Sequence, residues 1–136
     1  LDVKLESLSR CVDRIKSNTP DSAEQLTQDY DAQDIVAVNL QRAIQICVDL
    51  GGHLLATRGW LAPTSMAETF TILADNGVLD KDLAERLRRA VGFRNISVHK
   101  EEKIDWVRVH RIVTENLQDF RLFGRKLVDA WPETDQ

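Results

Sequence analysis

Apolar residues return every three or four positions along this chain, and nowhere do they settle into strict alternation. That rhythm is the period of helices with one buried face, and it excludes folds built on sheets. Leu1, Leu5, Leu8, Val12 and Ile15 step by four, three, four and three, which predicts a first helix ended by the Ser17–Asp21 stretch around Pro20. Ser22 and Gln25 have the spacing of a capping box, so a short helix is expected near 23–27. A long helix is expected from about Ala32 to about Thr57, with Ile35, Val38, Ala43, Ile46, Cys47, Leu50 and Leu54 on its apolar side. Gly51-Gly52 interrupts it at roughly 1 kcal/mol per glycine. The pair is compatible with close packing, with a bend, or with a tolerated weak point.

A loop over Arg58–Pro63 follows, and Ser65 with Glu68 opens a helix over Met66–Asp75 that Asn76-Gly77 closes. Asp80 caps the next, with Leu83, Leu87, Ala90 and Val91 turned inward. Asp105 caps a last helix expected to run unbroken from Trp106 to about Ala130, where Trp131-Pro132 stops it. The expected fold class is all-α: an antiparallel bundle of four to five helices in a single domain, 1–136.

Composition excludes several classes. No run approaches about 18 apolar residues, so no membrane span is expected. A 43% hydrophobic content with net charge -4 argues against disorder. Two cysteines do not make a disulfide scaffold, and no basic-then-apolar leader opens the chain. A cytoplasmic protein is the expectation. A pI near 5.4 weighs against a nucleic-acid partner, but the charge is uneven. From Arg86 to Arg111 eight bases meet three acids, a local +5, while the remainder carries -9. Solvated helix faces with paired arginines are the plain explanation of such clustering.

Most catalytic signatures are missing. No glycine-rich phosphate loop, no CxxC and no HExxH occurs, so neither a metal nor a cofactor is expected. Cys11 and Cys47 read as core thiols on apolar faces. His53 and His110 read as structural histidines, and Trp60, Trp106 and Trp131 show no spacing of a stacking platform. One segment is different: Val91-Gly92-Phe93-Arg94-Asn95-Ile96-Ser97-Val98-His99. Its polar residues suit a phosphodiester. A histidine such as His99 is the residue type that can move a proton near neutral pH. Arg94 holds a phosphate and stabilises growing negative charge. Asn95 donates to a phosphate oxygen or orients the ring. Arg94 and His99 are five positions apart, about 140° around a helix. They meet if the helix ends there, if the Arg stem curls round, or if two copies face each other across a two-fold axis.

Arg94-Asn95-Ile96-Ser97-Val98-His99 resembles the Arg–polar–x3–His signature of HEPN domains, specifically the HepT-like toxin ribonucleases. The stretch Gln33–Gln45 with Asp49-Leu50 and His53 resembles the family's long second helix, and Phe70–Ala74 and Val91–Asn95 agree as well. The likeness spans essentially the whole chain. It implies a HEPN-like bundle forming a two-fold homodimer with both Arg/His segments in one cleft. It implies metal-independent endoribonuclease action on RNA, with Arg94, His99 and Asn95 as the catalytic set. It also implies a partner, an MNT-type nucleotidyltransferase antitoxin that binds the toxin and adenylylates a tyrosine two residues after the motif histidine. Here that position is Glu101, and the chain's one tyrosine is Tyr30. The alternative is a non-catalytic module that binds a nucleotide or docks the nucleotidyltransferase.

Overall fold

The computed structural model describes residues 1–98 and 104–132, giving the helix backbone alone for 94–98. Its described residues form seven helical segments: α1 (Asp2–Asn18), α2 (Ala23–Gln28), α3 (Tyr30–Arg58), α4 (Met66–Asp75), α5 (Lys81–Val98), α6 (Trp106–Glu115) and α7 (Gln118–Ala130). With α2 as a short connecting turn and α6–α7 as one broken rod, the described residues form a bundle of five helices, within the expected four to five.

Five of the seven starts carry a side-chain cap, while α1 and α7 begin at Leu1 and Leu117 without one. The Ser22 hydroxyl accepts from the Gln25 amide while the Gln25 side chain accepts from the Ser22 amide, a complete capping box. Asp29 accepts from the Ala32 amide at 3.0 Å, which sets the start of α3 at Tyr30, two residues before the expected one. Ser65, Asp80 and Asp105 accept from the amides of Glu68, Leu83 and Arg108 in the same way. Glu68 reaches back to Thr64. At its far end α3 closes on Gly59, whose φ of +68° is the left-handed conformation that glycine adopts without strain.

α3 is the central rod, packed against α1, α2, α4, α5 and α7. Leu54, Leu55, Phe70, Leu73, Leu83, Phe120 and Phe123 are fully buried around it, and Phe70 meets Phe123 edge to face at 5.7 Å. The glycine pair has two separate meanings. A Cβ on Gly51 would lie 2.7 Å from Thr69 Cγ2 and 3.0 Å from Leu73 Cδ1, so its bare backbone is what lets α4 approach α3. A Cβ on Gly52 meets nothing within 4 Å.

The last helix departs from expectation. It breaks at Asn116-Leu117, and the amides of Asp119 and Phe120 bond to the carbonyls of Asn116 and Leu117 instead of continuing the ladder. The apolar phase of Val113, Leu117, Phe120 and Phe123 runs straight through, so periodicity hides the break. What lies beyond it explains the geometry: Asp119 turns inward, with its side chain 12% exposed, and accepts a 2.9 Å hydrogen bond from Arg86 Nε on α5. Arg58 Nη2 donates to the Ala130 carbonyl at 2.6 Å, closing α7 against the end of α3.

Candidate active site on α5

The segment singled out by its chemistry begins in the last turns of α5. Buried Leu83, Leu87, Ala90 and Phe93 hold that helix to the core, and its backbone stays helical to Val98. Arg94 and Asn95 lie on this helical stretch. His99 and Glu101 lie outside the described residues. The chain returns at Ile104, and Asp105 caps α6. Both flanks of the segment are anchored. Phe93 and Val109 are 3% exposed, and together with Leu40, Ile104 and Trp106 they line a small apolar seat. The Arg108 guanidinium lies 5.3 Å from the centre of the Phe93 ring, tying the start of α6 to the residue just before Arg94.

The basic stretch divides by partner. Arg86 is held by Asp119, and that hydrogen bond raises its already high pKa further. Arg88 and Arg89 lie 3.4 and 3.5 Å from the Glu85 carboxylate in exposed pairs. Arg108 and Arg111 have no carboxylate partner among the described residues. α6 packs mainly on α2, and the gap it leaves toward α5 is a cavity of about 320 Å³ whose rim carries Arg86, Arg89, Arg108 and Arg111. Residue-by-residue reading of the sequence missed this groove. Its only signal was the i, i+3 spacing of arginines in both helices.

The other candidates are structural. Cys11 and Cys47 are buried free thiols, and burial raises both their pKa values, so neither supplies a thiolate near neutrality. His110 Nε2 lies 2.8 Å from the Pro20 carbonyl; only an N–H donates there, so the ring locks α6 to the α1–α2 connection. His53 stacks on Trp131 with ring centres 5.1 Å apart, and the Arg58 guanidinium sits 5.9 Å from the Trp60 ring centre. Among the described residues no group of His, Cys, Asp and Glu is placed to hold a metal ion, and no helix is long and apolar enough to cross a membrane.

Solved structures define the class. A tri-AMPylated Shewanella oneidensis HEPN toxin, solved in complex with MNT antitoxin, superposes with a TM-score of 0.86 at 32% identity, over 93% of this chain and 94% of that one. The fold is therefore that of a HEPN toxin. More narrowly, the chain belongs to the ribonuclease HepT-like family, whose model matches residues 8–127. Its curated relatives include an mRNA nuclease HepT of Shewanella oneidensis, 34% identical over 120 residues and covering 88% of this chain and 90% of the relative. A tRNA nuclease HepT of Aphanizomenon flos-aquae is 25% identical over 127 residues, covering 93% of this chain and 86% of the relative.

Proposed function

We propose that this chain is a cytoplasmic endoribonuclease toxin that acts as a homodimer and is restrained by an MNT-type nucleotidyltransferase antitoxin. The observation that carries this reading is the family match over residues 8–127, which spans the Arg94–His99 segment. On this reading the whole chain, 1–136, is one HepT-like domain. The ribose 2′-hydroxyl attacks the adjacent phosphorus and the bond to the 5′-oxygen of the next nucleotide breaks. The products are a 2′,3′-cyclic phosphate and a free 5′-hydroxyl, so atoms and charge balance without a water or a metal. His99 moves the proton from the attacking hydroxyl, and the same residue of the second copy supplies one to the leaving oxygen. Arg94 holds the phosphoryl oxygens as charge builds on them, and Asn95 orients the phosphate beside it.

Glu101 has no phenol to modify, so neutralisation rests on antitoxin binding. The decisive assay is cleavage of a defined RNA by the purified chain in excess EDTA. Wild type cuts, and Arg94→Ala or His99→Ala lowers the rate by about 100-fold or more, a typical loss for a missing acid–base or charge-stabilising group, with unchanged helical circular dichroism. Cleavage surviving both substitutions sinks the assignment of these residues. A wild type that cuts nothing yet binds a nucleotidyltransferase returns the non-catalytic module.

A further inference from the structure

We propose that the groove between α5 and α6 is a phosphate-binding track, a subsite that holds the RNA backbone to one side of the cutting segment. This deepens the ribonuclease reading and rests on it. The track is built from two pairs of arginines, each three residues apart and therefore on one helix face: Arg86 and Arg89 from α5, Arg108 and Arg111 from α6. They rim one cavity of about 320 Å³. Its single carboxylate, Asp119, is already engaged by Arg86. That pair fixes one wall, because Arg86 is held rigid while Arg89, Arg108 and Arg111 are exposed at the rim.

Arginine forks match phosphate oxygens in bidentate geometry. Arg108 and Arg111 have no carboxylate partner among the described residues and Arg89 has only its exposed pair with Glu85, so an anion in the groove relieves the repulsion among them. A polyanion suits this arrangement better than a lone phosphate, since the charge lies on two facing walls. Continuity supplies the direction. Arg108 sits against Phe93, and Phe93 directly precedes Arg94, so a strand in the groove leads onto the segment that carries the cutting residues. The break at Asn116-Leu117 contributes the floor, since both Asn116 and Asp119 line the cavity.

The test compares the wild-type chain with Arg89→Gln/Arg111→Gln, using as probe a 2′-O-methyl RNA oligonucleotide that has no attacking hydroxyl. A charge-matched control, Lys16→Gln/Arg125→Gln, removes two exposed cations from α1 and α7. The groove variant is expected to bind the probe about 10-fold or more weakly, and the slope of log affinity against log salt to fall by about 1.4, or roughly 0.7 for each lost single-strand phosphate contact. For cleavable RNA the KM rises while kcat on a dinucleotide, too short to reach the groove, stays as in wild type. Unchanged affinity and salt slope overturn the track, and so does equal weakening in the control. Loss confined to nucleotidyltransferase binding also overturns it, making the groove a protein interface. The two readings separate cleanly. Cleavage unaffected by His99→Ala removes the catalytic assignment and leaves the binding result standing. RNA that binds with an unchanged slope in the groove variant removes the track and leaves the catalytic assignment standing.

Discussion

The pairing of Arg86 with Asp119 is where a single residue decides local shape. Asp119 is a carboxylate with a side chain 12% exposed, and its one cationic neighbour donates at 2.9 Å. Removing only the cation strands a mostly buried negative charge, a far worse state than removing both groups. Arg86→Met is therefore expected to destabilise the chain by about 2 kcal/mol, and Arg86→Met/Asp119→Leu to recover most of that loss. Urea denaturation of the two single variants and the double variant measures the coupling, and strict additivity would refute it. This residue also shows what the sequence left hidden. Arg86 was visible as one of eight bases in a positive stretch. That it is neutralised from 33 positions away, while Arg108 and Arg111 are not, depends on a helix break that no local pattern announces. Arg94, Asn95 and His99 are the reverse case: residue type and motif spacing single them out in the sequence, and their proposed roles rest on that spacing.

At the scale of elements, the helix starts were the most readable feature, because each cap is a short-range bond between residues three apart. Ser22, Ser65, Asp80 and Asp105 all cap as their spacing predicts. The Asn116-Leu117 break was not readable, since burial phase continues across it and no proline or glycine marks it. The glycine pair in α3 was readable as an anomaly and ambiguous as a cause. Packing resolves it into two residues of opposite character. Gly51→Ala places a methyl 2.7 Å from the buried Thr69 side chain and forces α4 outward. The helix-propensity gain of about 1 kcal/mol is outweighed by an overpacking cost of about 1–3 kcal/mol. Gly52→Ala enters open space, so it retains the propensity gain and stabilises by up to about 1 kcal/mol. Thermal melts of the two variants are expected to shift in opposite directions, down for Gly51→Ala and up for Gly52→Ala. Shifts of the same sign would mean that α3 and α4 are less tightly joined than the 2.7 Å approach implies.

For the whole molecule, the proposed function asks how an acidic chain would hold RNA and whether one copy suffices. Its +5 stretch runs from Arg86 on α5 to Arg111 on α6, and the -9 remainder is spread over the rest of the chain. A second copy placed so that both positive faces share a cleft doubles the field at the substrate without changing the acidic exterior. The same geometry answers the placement of the motif. Arg94 lies on a helix still regular at Val98, and a residue five positions on would project about 140° away on the same helix. On the proposed reading both chemistries reach one phosphate by way of a facing copy, which predicts that activity belongs to the dimer and not to the protomer. Mixing tests this directly. Wild-type chain is denatured together with a nine-fold excess of Arg94→Ala/His99→Ala, then refolded so that protomers pair at random. If each cleft needs both copies, cleavage per wild-type chain drops to about one tenth, the fraction of wild-type protomers that find a wild-type partner. If each copy carries a self-sufficient site, cleavage per wild-type chain is unchanged. Dilution gives the same discrimination by another route. Specific activity of the wild type should hold constant above the dimer dissociation constant and fall below it, whereas an active protomer would show no concentration dependence.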